Sequence, residues 1–182
     1  FPSGRTLLVD AGPKSAGFDA GERTVVPYLR YRSIGPLDAM VVSHPHSDHI
    51  GGAAAVLRAV GASAVIESGT TLGGSIYHEM SAVADSLGAA RRIVRAGETI
   101  DVGEEARCYV LAPLPVPGEA MSAAGDALDN HGLNDRSVVL RVGYGATSVV
   151  LSGDAEVGVE EALTARYGTF LRSDLLKTGH HG

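Results

Sequence analysis

A single cysteine, Cys108, stands in a chain of 182 residues. An internal disulfide needs two, so none is possible within these residues, and a thiolate-built metal site is excluded with it. Long apolar runs are missing too. Nowhere do about 18 apolar residues follow one another, so no stretch reads as a membrane-spanning helix. No basic segment followed by an apolar one opens the chain, and no signal peptide is expected within it. Positive charge is scarce: 15 Lys and Arg stand against 21 Asp and Glu, a formal net charge of −6. Non-specific nucleic-acid binders displace counterions with a basic face, and these totals announce none. Arg91, Arg92 and Arg95 form the only dense basic cluster, and a solvated strand edge is its simplest reading. Tyr77, Tyr109 and Tyr144 are scattered and make no stacking platform for a single strand. Low complexity is absent as well. With 24 glycines and 8 prolines the chain stays below the roughly 25–30% that marks disorder, and 45% hydrophobic residues suffice for a sizeable core. No repeat at a fixed period is visible.

What is present is an alternation of strands and helices, an α/β pattern. Thr6–Asp10 reads as a buried strand running into a Gly-rich loop from Ala11 to Gly21. A short helix is expected at Val25–Tyr31, a strand at Ala39–Ser43 and an Ala-rich helix at Ile50–Val60. Ala64–Glu67 reads as a strand, Ser75–Leu87 as a helix, and Arg92–Val94 and Glu98–Val102 as strands about the Ala96-Gly97 turn. Another strand is expected at Arg107–Leu111, then a long loop from Pro113 to Asp135, of a length that is functional or mobile in most domains. Ser137–Val142 and Thr147–Leu151 read as a hairpin, Glu156–Tyr167 as a helix and Ser173–Lys177 as a last strand. Several links are of hairpin length, so the sheets are expected to be mixed rather than purely parallel.

Three of the seven histidines lie in His44-Pro45-His46-Ser47-Asp48-His49. In extended backbone, residues i and i+2 share a side, so His44 and His46 can grip one ion, with Pro45 stiffening the turn. Asp48 and His49 can address a second point as the chain turns into a helix. Imidazole and carboxylate without thiolate suit Zn, Mn or Fe, and Gly51-Gly52 fit a close approach of backbone to the site. A His-rich surface loop is the bland alternative. Two ions about 4 Å apart need a bridging ligand. Asp154, just past the strand Thr147–Leu151, is the candidate, with a helix N-cap as its alternative. His180 and His181 follow the last strand. One is expected to ligate and the other to meet substrate. The place of His180 at the strand end favours it as the ligand, with His181 as a donor to a phosphate oxygen; a surface turn is the alternative. Asp10 stands at a fourth strand end, and open α/β sheets gather ligands at such ends. His78 is expected on an exposed helix face, and Cys108 as a small buried apolar residue.

Leu8-Val9-Asp10-Ala11-Gly12, the stretch Ser43 to Gly52, Leu151-Ser152-Gly153-Asp154 and Lys177-Thr178-Gly179-His180-His181-Gly182 resemble the motifs of the metallo-β-lactamase superfamily. The resemblance spans nearly the whole chain. It implies a four-layer αββα sandwich with a two-metal site on its edge. It also implies that residues 1–182 are one hydrolase domain, a fragment of a longer chain, incomplete at both ends. Within the superfamily the histidine motif, Asn134-Asp135-Arg136-Ser137-Val138-Val139-Leu140, the Leu-Lys-x-Gly-His-His-Gly ending, Asp10-Ala11-Gly12-Pro13 and Gly17-x-Asp19-x-Gly21 are similar to ComEC-type DNA-uptake channels. Those are membrane proteins that carry such a domain, understood as a nuclease, outside the cytoplasmic membrane.

That resemblance implies a metal-dependent phosphodiesterase acting on single-stranded DNA during uptake, with two divalent ions, Mn or Zn, and an extracytoplasmic place tethered to the membrane through the parent chain. It implies His44, His46, Asp48, His49, Asp154 and His180 as metal ligands. Asp48 and His181 would be catalytic, and Asp10 would steady a metal-bound histidine from behind. Many members of the superfamily carry a further His ligand in a Gly-His-Thr-type loop before the strand that here begins at Ser137. Here that stretch reads His131-Gly132-Leu133-Asn134-Asp135-Arg136. His131 is spaced too far from Ser137, and Asn134, nearer the place, could ligate weakly or through water. A secreted or free-standing esterase of the same fold, phosphorylcholine-esterase-like, and a catalytically silent docking domain of a channel are the competing readings.

Overall fold

The computed structural model describes residues 1–72, 74–115 and 130–182, with the side chains of Asn130, His131 and His181 outside that description. In chain order the first half holds β1 (Leu7–Val9), a small hairpin of β2 (Lys14–Ser15) and β3 (Phe18–Asp19), α1 (Val26–Tyr31), β4 (Leu37–Val41), α2 (Ser47–Ile50), α3 (Ala53–Val60), β5 (Ala62–Glu67), α4 (Ser75–Ser86) and β6 (Ala90–Ile93). The second half holds β7 (Thr99–Ile100), β8 (Ala106–Ala112), α5 (Asn130–Asp135), β9 (Val139–Tyr144), β10 (Thr147–Leu151), α6 (Val157–Tyr167) and β11 (Leu175–Lys177).

Two main sheets result, ordered β1-β4-β5-β6 and β11-β10-β9-β8-β7. The expectation of mixed sheets holds only for the second. There β10 and β11 run parallel and the other pairs antiparallel. The first sheet is parallel throughout. The reason lies in the connections: each strand of the first sheet reaches the next through a helix, and such crossovers join parallel neighbours. Within the two main sheets, the hairpin-length links fall in the second half of the chain.

The period of two along each strand sorts the core into layers. Met40 and Val42 face Val26 and Leu29 of α1, Leu57 of α3 and Met80 of α4. Ala39 and Val41, one residue out of phase, face Cys108, Val110 and Leu140 of the second sheet. Leu111, Val139 and Val150 turn the other way, onto Leu163 of α6. The order is helices, sheet, sheet, helix, an αββα sandwich. Each fully buried side chain such as Met40, Leu57 or Leu140 contributes on the order of 1.5–3 kcal/mol by leaving water. Cys108 is 1% exposed, and burial pushes its thiol up to about 12, so it is a small apolar core residue. His78 is exposed on α4.

Other departures have local causes. Asn130–Asp135 is helical where a loop was expected; the segment is too short to show a period, and burial of Leu133 anchors it. The rest of that expected loop, 116–129, lies outside the described residues. The Arg cluster does lie at a solvated strand edge, as expected, with Arg91 and Arg92 exposed on the edge strand β6, but its guanidinium groups are also paired. Arg91 donates to Glu67 and to Tyr77, Arg92 to Glu98, and Arg95 to the Ser68 carbonyl.

The single helix expected at Ile50–Val60 is split, because Gly51 and Gly52 separate α2 from α3. Gly52 N–H donates to Gly12 O at 3.0 Å, and a Cβ there would overlap the backbone of Ala11 and Gly21. The glycines let the loop after β1 press against the histidine turn. Gly52→Ala is expected to destabilise the chain by ~1–3 kcal/mol, the range for overpacked interiors, read as a lower urea midpoint at unchanged slope. Gly158→Ala on α6, where a Cβ meets nothing within 4 Å, should be neutral or stabilising.

Candidate metal centre

The parallel pairs β1–β4 and β10–β11 bring four strand ends together. Asp10 leaves β1 with a left-handed backbone, φ 59°, a conformation that short polar residues tolerate best. Its carboxylate is fully used. Oδ1 accepts from Ser43 N–H at 2.8 Å, and Oδ2 accepts from Ser43 Oγ at 2.7 Å. His49 Nδ1 lies 2.8 Å from the same Oδ2. A carboxylate only accepts, so the proton sits on Nδ1 and Nε2 is the ring atom turned inward. The backbone repeats the tie: Ala11 N–H donates to His49 O at 2.8 Å.

His49 Nε2 is 3.2 Å from Asp154 Oδ2. His44, His49 and Asp154 are 1%, 4% and 2% exposed, and one ligand-type atom from each lies within 4.8 Å of the others. A buried carboxylate requires compensating charge. In this chain His49 and the Lys177 ammonium, 3.5 Å from Asp154 Oδ1, face it. Burial, reinforced by the His49 and His46 rings, pushes the His44 imidazole down to about 4. It is therefore neutral at pH 7, with a lone pair to give. For His49 burial opposes charge, but the Asp10 hydrogen bond and charge, with Asp154 and Asp48, outweigh it and hold the pKa above its ordinary value.

A pH dependence follows. The unfolded His44 takes a proton near 6.5 and the folded one only near 4, so the metal-free chain is expected to lose stability as pH falls between those values. His49 has the opposite sign in another window: it contributes stability below about 6.5 that is lost as pH rises through its raised folded value. Urea midpoints taken from pH 7 down to pH 4 check the first effect. His44→Gln should flatten the acid slope; an identical slope in both proteins refutes it.

The remaining expected residues are placed less uniformly. His46 Nδ1 lies 2.9 Å from His44 Nε2, and His46 Nε2 is buried with no hydrogen-bond partner among the described residues. Asp48 is half-exposed, its Oδ2 3.8 Å from His49 Nε2. His180 stands farther out, more than half exposed, with Nδ1 3.6 Å from Glu156 Oε1, and has a left-handed backbone at φ 43°. Asn134 is 3% exposed and donates through Nδ2 to Glu156 Oε1 at 2.8 Å. The side chains of His131 and His181 lie outside the described residues. The N-cap alternative for Asp154 is overturned: α6 begins at Val157 and its N-cap is Glu156.

Sequence reasoning gives no role to Ser43, Lys177 or Glu156. Ser43 binds Asp10 and lies within 3.3 Å of both His44 Nδ1 and His49 Nδ1. Lys177 donates to Gly153 O at 2.7 Å. Only their places beside the motifs, one residue before His44 and two after Asp154, could have drawn notice to Ser43 and Glu156. A cleft of about 710 Å³ opens beside the cluster, bounded by Asp48, His49, Gly153 and Lys177 and, opposite, by Leu8 and Phe18.

The donor set fits a divalent ion: two buried imidazoles and a buried carboxylate in mutual reach, with the unpartnered His46 nitrogen beside them. A model of the metallo-beta-lactamase superfamily matches residues 2–182. The chain belongs to the metallo-β-lactamase superfamily. ComE operon protein 3 of Bacillus subtilis (strain 168) is 27% identical over 183 residues, 99% of this chain and 22% of that protein. Competence protein ComA of Neisseria gonorrhoeae is 30% identical over 178 residues, 98% of this chain and 21% of that protein. The chain thus spans about a fifth of the length of these relatives. Among solved structures, a metallo-β-lactamase with a HARLDQ motif from Cronobacter sakazakii superposes with a TM-score of 0.55 at 15% identity, covering 93% of this chain and 65% of that one. The αββα order read from the three apolar clusters is the metallo-β-lactamase fold. No helix among the described residues of this superfamily chain is long and apolar enough to cross a membrane.

Proposed function

We propose that residues 1–182 form a metal-dependent hydrolase domain that cleaves phosphodiester bonds of DNA, as part of a longer chain engaged in competence-type DNA uptake. The observation that carries the reading is the buried His44–His49–Asp154 cluster at the strand ends, with His49 oriented by Asp10. The competence names of relatives that align with nearly the whole chain supply the DNA context. Single-stranded DNA is the partner, and the domain sits outside the cytoplasmic membrane, tethered through the parent chain.

His44 and His46 would hold one ion, Asp48, His49 and His180 would hold a second, and Asp154 would be shared between them; Asp10 fixes the His49 ring. The chemistry that zinc or manganese would supply there is Lewis acidity, a water nucleophile at neutral pH and local neutralisation of phosphate. Such local charge matters in a chain of net charge −6 whose Arg cluster is engaged in internal pairs. Asp48, open to solvent, orients the attacking water and accepts its proton. His181 donates to the phosphate oxygen on which charge develops.

The test is cleavage of end-labelled single-stranded DNA by the purified chain with Mn, Zn or Fe, beside chromogenic phosphodiesters and lactams. Metal-dependent DNA cleavage that chelator abolishes is the expected result. Turnover of a small ester without DNA cleavage under any of the three metals overturns the nuclease choice in favour of the esterase. Tight metal binding with no turnover at all leaves the docking domain.

A further inference from the structure

Glu156 occupies the N-cap of α6, a place that favours Ser, Thr, Asp or Asn, and its side chain makes no capping bond there. The carboxylate turns away from its helix toward two other segments. Oε1 accepts from Asn134 Nδ2 at 2.8 Å and lies 3.6 Å from His180 Nδ1. Because a carboxylate cannot donate, the contact settles which way the Asn134 amide faces. The nitrogen meets Glu156, and Oδ1 is left buried with no hydrogen-bond partner among the described residues, on a side chain 3% exposed. An unsatisfied buried acceptor is rare and asks for an explanation.

The segment carrying Asn134 is stitched to both halves of the cluster. Val138 N–H donates to Ser43 O at 2.8 Å and Ser137 N–H to Asn134 O at 2.9 Å. Ser137 Oγ accepts from Asp154 N–H at 3.1 Å, and Asp135 Oδ1 from Glu156 N–H at 3.3 Å. Asn134 is thereby held between the residue before His44 and the residues after Asp154. His180 carries a left-handed backbone, φ 43° and ψ 43°, which persists only where the surroundings hold it.

We infer that Glu156 is the positioning residue of the centre: it turns Asn134 so that Oδ1 is offered to a divalent cation as a neutral oxygen donor, and it faces His180 through Nδ1. The inference rests on the metal-centre reading above. Glu156 touches neither ion nor substrate in this role; it acts through the two side chains it orients, as carboxylates behind metal-bound residues do. An amide oxygen beside carboxylates favours a hard ion such as manganese.

The experiment is titration of the metal-free chain with Mn²⁺ by calorimetry, with Co²⁺ absorption as a reporter of ligand geometry. The variants are Glu156→Ala, Glu156→Gln, Asn134→Ala, the double Glu156→Ala/Asn134→Ala and, as reference, His49→Ala. Glu156→Ala is expected to weaken Mn²⁺ about 10–100-fold, the usual effect of losing such a partner, and to shift the Co²⁺ bands. Glu156→Gln, whose amide oxygen can still accept from Asn134, should recover part of the affinity. It also carries the test if Glu156→Ala fails to fold. The double variant should lose less than the product of the two single losses, because one acts through the other. Wild-type affinity and bands in both Glu156 variants, with binding lost in His49→Ala, overturn the positioning role and leave the metal centre standing. Losses that multiply independently also overturn it. Absence of Mn²⁺ and Co²⁺ binding by the wild-type chain removes the metal centre, and this role with it.

Discussion

Asp154→Asn is expected to lower hydrolysis by at least ~100-fold while leaving the fold intact. Loss of a supporting residue around a metal commonly costs ~10–100-fold, and the bridging role proposed for Asp154 calls for at least the upper end of that range. The side chain is 2% exposed, and an amide of the same shape fits the space. Its backbone N–H still reaches Ser137 Oγ, and no helix cap is lost, because Glu156 holds that position. What disappears is the negative charge facing His49 Nε2 and Lys177 Nζ. The measurements are the rate at saturating metal, the metal stoichiometry and the urea midpoint. An unchanged rate rejects the bridging role, and a collapsed midpoint with proportionate loss of rate makes Asp154 a structural residue.

His46→Ala is expected to abolish hydrolysis and reduce bound metal, and Asp48→Ala to do the same. The structure separates the first of these from ordinary damage. His46 Nε2 is buried without a hydrogen-bond partner among the described residues, so its loss breaks no bond, but Nδ1 pairs with His44 Nε2 at 2.9 Å, and leaving that buried nitrogen without it should cost the metal-free chain about 1–3 kcal/mol. Function and stability then move apart: activity falls by more than tenfold in a chain that still folds, with only a modestly lower urea midpoint. Asp48 is half-exposed on the first turn of α2, and its truncation should likewise leave the fold alone. Retention of more than about a tenth of the activity in either variant counts against the assigned site.

The extent to which the centre was legible varies by residue. The spacing of His44, His46, Asp48 and His49 on a strand-to-helix turn is visible locally, since two or three backbone steps fix which side chains share a side. Their meeting with Asp154 is a matter of strand ends, and the strand pattern located those ends to within a residue or two. The partners that hold the ligands were not legible. Ser43 and Glu156 are common polar residues whose tasks exist only once β1 lies beside β4 and α5 lies beside the start of α6. The parallel first sheet was missed for a similar reason: link lengths in the second half of the chain say nothing about the first.

What the sequence by itself determined is the apolar strand that leads into the histidine turn, the histidine motif and its chemistry without thiolate, and the placing of Asp10, Asp154 and His180 just past strand ends. These depend on neighbours along the chain, where covalent geometry sets direction. Only the tertiary structure decided that Asp10 grips His49, that His44 is buried deeply enough to stay neutral, that Gly51 and Gly52 break the helix against the loop after β1, and that Glu156 abandons its cap for Asn134 and His180. The contacts Asp10–His49, Gly12–Gly52, Asn134–Glu156 and Glu156–His180 join residues 22 to 40 positions apart. Their strength comes from burial and from close approach of separate segments, which no local pattern encodes.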